Sequence, residues 1–206
     1  MPLLSGFLPM LNRPLVAGCD NCFRAGLKLR APPIPVSAYH KEAFLTPAVQ
    51  GNSLAMSLRV ALATLADLES VLLLMRKMQN VDPWSEPFNE TILRANLAEL
   101  LQNSIYGVIY LAWDAHNPIA YLVICFDYSL EYRGKGAWID ELFVEASHRG
   151  QGIGTQLLDV AERVSREHKA HFLHLEVSHG NPAIELYRRR GFVDHQRYLM
   201  TKRLGD

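Results

Sequence analysis

Arg149 to Thr155 reads Arg-Gly-Gln-Gly-Ile-Gly-Thr, with three alternating glycines. The acid-bearing apolar run Trp138 to Val144 precedes it, and a stretch striped by Leu157, Leu158, Ala161 and Val164 follows. Glycines let backbone amides approach an anion closely, a helix start adds unpaired N–H groups with partial positive charge, and Arg149 brings a permanent cation. The chemistry implied is the gripping of a pyrophosphate. Two familiar phosphate loops fit poorly. Gly-Lys-Ser/Thr is absent, and the spacing Gly150-x-Gly152-x-Gly154 is not that of a dinucleotide fingerprint. A tight strand-to-helix turn accounts for the glycines equally well, so their context has to decide.

A cradle of this kind must be aimed by a strand in front and a helix behind. From Ser57 the pattern becomes regular: Leu58, Val60 and Leu62 alternate as in a strand, and Thr64 with Asp67 forms a capping pair before an apolar helix reaching about Met78. Asp82 to Pro87 is a turn-rich link. Ile92, Leu93, Leu97, Leu100 and Leu101 form the stripe of a second helix. Ile105 to Trp113 and Ile119 to Phe126 read as strands joined across residues 114–118, and Arg133 to Gly136 as a turn before the strand Trp138 to Val144. Beyond the glycine loop and its helix, His171 to His179 alternates as a strand lying parallel to Trp138–Val144, followed by a short helix and short strands. The fold class is α/β: a mixed sheet made of an antiparallel meander followed by a βαβ unit, with flanking helices.

Of 206 residues, 49% are hydrophobic and 20% charged, which is globular usage rather than that of a disordered or fibrous chain. The 21 basic and 21 acidic residues cancel, so no global field favours nucleic acid or an acidic membrane surface. Apolar runs such as Val71 to Met75 fall far short of the roughly 18 residues of a membrane span. Three cysteines make no disulfide framework and suit a reducing, cytoplasmic setting. Cys19 and Cys22 lack a second ligand pair, so no metal site is expected. Seven of eleven prolines lie in residues 1–55, which carry five basic residues against two acidic. The expectation is a poorly ordered extension over 1–55, or a targeting segment or a stretch before a natural start at Met56, and a single domain over 56–206.

Downstream stands Asn181-Pro182-Ala183-Ile184-Glu185-Leu186-Tyr187-Arg188-Arg189-Arg190-Gly191-Phe192. Asn181 suits an N-cap, Pro182 the first helical position, and Gly191 a stop past the end. With this second motif about 30 residues after the glycine loop, the block from Ile139 to Phe192 resembles the GNAT superfamily of N-acetyltransferases. Its Arg-Gly-x-Gly-x-Gly/Ala loop is met by Arg149 to Gly154. Its Asn-x-x-Ala-x-x-Leu-Tyr-x-x-x-Gly-Phe helix is matched by Asn181, Leu186, Tyr187, Gly191 and Phe192, with Ile184 in the alanine position, an alanine one step early at Ala183, and Leu186 and Tyr187 one position nearer Asn181 than the pattern has them.

The resemblance implies transfer of an acetyl group from acetyl-coenzyme A, a co-substrate, to a primary amine by direct attack in a ternary complex. It implies that amides of Gly150, Gln151, Gly152, Ile153, Gly154 and Thr155, with Arg149, hold the pyrophosphate. The backbone of Phe143 and Val144 pairs with the pantetheine arm, and an amide within Leu142 to Val144 polarises the thioester. Asn181 hydrogen-bonds the cofactor arm, and Tyr187 protonates the departing thiolate. An alkyl amine needs about 4.6 kcal/mol to be neutral at pH 7, so a base is useful, and Asp140 and Glu141 sit beside the thioester. Strand alternation puts those two on opposite faces unless a bulge alters the register, and the sequence does not choose between them. The acceptor is an amine on a small molecule or a protein, with a lean toward cationic amines from the acidic pair. Helix-terminal Arg188, Arg189 and Arg190 complement the helix dipole, and His174 with Glu176 shares a strand face near the acceptor. A non-catalytic module sensing acyl-coenzyme A is the alternative, and an exposed sheet edge would support a homodimer.

Overall fold

Residues 58–204 are described by the structure, a computed structural model. The expectations for residues 1–55, including the Cys19–Cys22 pair, lie outside the described residues. Five strands form one sheet in the order β1-β2-β3-β4-β5: β1 (Leu58–Leu62), β2 (Gly107–Asp114), β3 (Asn117–Ser129), β4 (Gly134–Val144) and β5 (Phe172–Leu175). The first four pair antiparallel, and β5 lies parallel to β4. Helix α3 (Ile153–Glu167) makes the crossover between β4 and β5 that a parallel pair requires.

Alternation along the strands divides the core into two layers. Val108, Tyr110, Leu122, Ile124 and Ile139 face Leu157, Leu158, Ala161 and Val164 of α3. Ile109, Leu111, Tyr121, Val123 and Phe143 face the opposite side, toward Val71, Leu72 and Met75 of α1 (Leu68–Gln79) and Leu97 of α2 (Glu90–Gln102). Each fully buried leucine or isoleucine in these layers contributes about 1.5–3 kcal/mol. Ahead of α1, one Asp67 carboxylate oxygen accepts from both the N–H and the hydroxyl of Thr64, at 2.8 and 2.9 Å. Asn89 caps α2 by accepting from the N–H groups of Thr91 and Ile92.

Several elements differ from the sequence pattern. Leu97 is the one buried residue of α2, and Ile92 of the expected apolar stripe is 58% exposed, because α1 already occupies the sheet face. The β2–β3 connection is a two-residue turn at Ala115 and His116, with Pro118 inside β3 opposite Trp113. Proline is tolerated there because the register shifts beside it, where a missing N–H costs no ladder bond. Gly134 to Gly136 belongs to β4 rather than to the preceding turn, whose left-handed residue is Arg133, with φ of 67°. β5 ends at Leu175, four residues before the alternation does, and residues 193–204 carry no helix or strand in place of the expected short strands. A four-residue edge strand offers a returning segment few ladder positions.

Gly107, at the start of β2, lies so close to β3 that a Cβ would stand 2.2 Å from the Ile124 carbonyl oxygen. Since backbone, not a flexible side-chain tip, is in the way, Gly107→Ala should lower the unfolding free energy by about 2–3 kcal/mol, read as a reduced urea midpoint with unchanged slope.

Candidate active site

The pairing of β4 with β5 runs from Gly136–Phe172 to Ile139–Leu175 and stops there, whereas the pairing of β4 with β3 continues to Val144. Residues 140–144 therefore border a gap on the β5 side. The register change occurs at the same place: Val123 lies opposite Glu141 and Ile124 opposite Ile139, so Asp140 is an extra residue, a β-bulge. Beyond it, the Glu145 N–H donates to the Ile119 carbonyl of β3 at 2.9 Å. By alternation the Phe143 N–H also turns to β3, and the amides of Leu142 and Val144 face the gap. The gap-facing backbone is thus that of Leu142 and Val144 rather than of the consecutive pair Phe143 and Val144.

At the end of β4, a single 3₁₀ turn (Ala146–His148) leads into the glycine loop. Gly150 and Gly152 adopt φ of 74° and 82°, conformations that side chains disfavour, and nothing lies within 4 Å of where either Cβ would be. These two glycines are needed for the turn and leave open space over it. Gly152 caps α3, so Ile153, Gly154 and Thr155 form its first turn, where amides lack partners within the helix. Gln151 is tied back through its amide to the Ser147 carbonyl at 3.1 Å. Arg149 donates from Nε to the Val144 carbonyl at 2.9 Å and lies over the Phe143 ring at 5.9 Å. Its cation is therefore anchored at the junction of gap and loop. Beside it, a cleft of about 360 Å³ is lined by Lys77, Val81, Phe143, Glu145, Ala146, Ser147 and Arg149, and Lys77 of α1 pairs with Glu145. His148 lies 3.8 Å from Asp114 and 3.9 Å from Glu145, at the rim.

The bulge also settles where the carboxylates point. Ile139 packs in the α3 layer and Phe143 in the α1 layer; with one residue inserted between them, Asp140 and Glu141 both project to the α1 side. Burial is the main cause raising the Glu141 carboxyl to about 7, and the neighbouring Asp140 charge adds to it. Hydrogen bonds from Tyr121, whose hydroxyl donates to Glu141 at 2.8 Å, and from Trp84 oppose the rise. Asp140, the more exposed of the pair, is also raised by loss of water. Cys125 lies on the same face, half-buried, its thiol pushed up to about 11 by burial and the two carboxylates, so it is held as a neutral thiol. Tyr121 and Trp84 were not legible as site residues: one alternates with core positions on β3 and the other lies in a loop.

On the other side of the sheet, Tyr187 belongs to α4 (Ile184–Arg189) and packs against the α3 layer, its ring meeting Phe192 edge-on at 5.9 Å. Burial raises its phenol above the ordinary tyrosine value. Asn181 accepts from the Ala183 N–H at 2.9 Å, so its side-chain oxygen caps the turn while its amide group is left over. Gly191, with φ of 87°, ends α4: the Phe192 N–H reaches the Tyr187 carbonyl and the Gly191 N–H the Arg188 carbonyl. Arg190 pairs with Asp159 and, at 2.8 Å, with Glu162, both on α3, and Arg188 pairs with Glu185. Leu186 stands 3.5 Å from where a Gly154 side chain would begin, so α4 rests on the first turn of α3. On β5, His174 is half-buried among aromatic rings, and Glu176 is exposed beyond the strand end. Among the described residues no group of three or more histidines, cysteines or acids is placed to hold a metal ion, and no helix is long and apolar enough to cross a membrane.

A strand ending in a gap, a glycine loop at a helix start and a short Asn-to-Gly-Phe helix resting on it match the acetyltransferase (GNAT) family pattern across residues 73–192, and the chain belongs to that family. The family is one of acyltransferases. The chain is 47% identical over 56 residues to a streptothricin acetyltransferase of Streptomyces lavendulae, an alignment covering 27% of this chain and 30% of that protein. The chain thus aligns with under a third of the length of that curated relative. Solved structures share the fold. An integron cassette protein from a salt-marsh metagenome has a TM-score of 0.63 at 23% identity, over 71% of this chain and 91% of its own. A possible acetyltransferase of Clostridium difficile 630 has a TM-score of 0.62 at 14% identity, over 72% and 99%.

Because Glu141 is raised above its unfolded value, its protonated form is favoured by folding, and the folded state loses stability as pH climbs from the ordinary carboxyl range through about 7. Glu141→Gln should therefore raise stability by up to about 3 kcal/mol at about pH 8 and change it little at about pH 4, measured by urea unfolding at both pH values.

Proposed function

We propose that this chain transfers an acetyl group from acetyl-coenzyme A to a primary amine, the amine attacking the thioester directly while both substrates are bound. The observation that carries this reading is the bulge at Asp140, which opens β4 toward β5 and turns two carboxylates to one face beside the opening. The co-substrate supplies the activated acyl group; the remaining work falls to residues of the chain. Amides of the glycine loop, from Gly150 to Thr155, hold the pyrophosphate together with the first turn of α3, and Arg149 braces the junction. The Leu142 and Val144 amides hold the pantetheine arm and polarise the thioester carbonyl, an aimed donor of the kind worth about 3 kcal/mol. The Asn181 amide group donates to the same arm.

Glu141 is the base. At its ordinary value a carboxyl lies about six pKa units below an alkyl ammonium; raised to about 7 it lies about three and a half below, which removes about 3.4 kcal/mol from the uphill proton transfer. Tyr121 and Trp84 orient it, and Asp140 keeps the face negative so that the ammonium is drawn in. As the C–N bond forms, the amine proton passes to Glu141, directly or through one water; as the C–S bond breaks, Tyr187 gives its proton to the sulfur and regains one from solvent. The base and the acid stand on opposite sheet faces, so neither crowds the other. The streptothricin acetyltransferase relative supports acetyl transfer as the chemistry.

Full-length chain, acetyl-coenzyme A and a panel of primary amines should release free thiol, with kcat/KM rising with pH through about 7. Glu141→Gln should lower kcat by about a hundredfold or more and flatten that pH limb, while Tyr187→Phe should lower kcat by about tenfold with coenzyme A affinity retained. Saturable coenzyme A binding without thiol release for any amine would favour the sensor instead.

A further inference from the structure

From the carboxylate pair the same sheet face continues toward the other end of β4, beyond the reach of α1 and α2, whose buried residues contact Ile109, Leu111, Tyr121, Val123 and Phe143. Trp138 stands opposite both Cys125 of β3 and His174 of β5, and Gly136 opposite Asp127 and Phe172. A Cβ on Gly136 would lie 2.0 Å from the Phe172 ring and 2.2 Å from the Asp127 carboxylate, so ring and carboxylate both lie over that glycine. The rings form a continuous half-buried floor: His174 meets Trp138 at 5.4 Å, Phe172 at 4.6 Å and Tyr132 at 4.8 Å between centroids. Burial holds His174 below its ordinary pKa, which keeps the ring neutral and adds no competing cation. Arg197 and His195 border the strip. Arg197 is taken up by Glu131 at 2.8 Å, and Asp127 makes no ion pair or hydrogen bond among the described residues.

We propose that this strip, from Asp140 past Trp138 and His174 to Asp127, is a subsite for a second cationic group of the acceptor, making diamines and polyamines with widely spaced ammonium groups the preferred substrates. The inference rests on the reading that the reacting amine sits at Asp140 and Glu141. Four strand positions separate Asp140 from Gly136, so the two cations would stand roughly 10–13 Å apart at about 3.3 Å per residue. An ammonium group over aromatic faces and beside an unpaired carboxylate is attracted by both ring quadrupole and charge, whereas an alkyl tail gains neither.

Thiol release by the full-length chain, compared for octylamine, diaminobutane and diaminooctane, reads the subsite directly, because only the last has a second ammonium group that can reach Asp127. The expected KM for diaminooctane is about tenfold below those of the other two, and Asp127→Asn should bring the diaminooctane-to-octylamine ratio close to one. Trp138→Leu, which keeps apolar bulk without the ring face, should reduce the same ratio, guarding against a folding defect in one variant. Equal KM values for octylamine and diaminooctane, or a ratio untouched by both substitutions, would overturn the subsite while leaving acetyl transfer standing. Thiol release with no amine at all would overturn both.

Discussion

One inserted residue governs the centre of this molecule. A strand hydrogen-bonded on both edges must keep a constant register, and β4 abandons it at Asp140, where two consecutive residues face one position of β3. Three consequences follow together. The ladder to β5 cannot continue, so backbone amides are left facing an opening. Side chains on either side of the insertion change parity, so neighbouring acids share a face. The strand is also redirected toward the glycine loop that follows it. A regular β4 would leave no such opening beside Leu142 and Val144.

The same burial that stabilises the fold raises the proton affinity of Glu141. Tyr121 is part of the layer beneath α1, and its hydroxyl is the polar end that reaches Glu141. Packing that layer removes water from the carboxyl, which raises its proton affinity at the expense of folding stability near neutral pH. With the role proposed for it, Glu141 is a local conflict between stability and chemistry, set between two well-filled layers on either side of the sheet.

Much of this was legible in the sequence, for physical reasons that differ by element. The glycine loop, α3 and the end of α4 were clear because each carries its own signal: positive-φ glycines, a strong apolar stripe and a stop residue. The start of α4 was not: the helix begins at Ile184 with Ala183 at its N-cap, two residues later than Pro182 suggests, and Asn181 caps only the turn before it. Strand existence followed from alternation, but strand ends did not. Gly134 to Gly136 reads as a turn by composition, yet the stretch is strand, and Gly136 leaves the space in which Phe172 and Asp127 lie over it. His171 to His179 alternates to its end, yet the bulge in a neighbouring strand terminates the pairing at Leu175. The bulge itself leaves no composition signal, so the shared face of Asp140 and Glu141 was visible only as a conditional. Tyr121 and Trp84 are brought to the site by tertiary folding alone, and no spacing connects them to it.

A helix of six residues is too short to persist by itself, and α4 does not have to. Arg190 fastens its end to Asp159 and Glu162, and Leu186 seats its middle on the glycine-bearing first turn of α3. The phenol at position 187 therefore has no independent coordinate: its location is inherited from the helix that the glycine loop leads into. On the proposed reading, the grip on a diphosphate and the delivery of a proton belong to one rigid piece, so tightening the loop would also fix the aim of the hydroxyl.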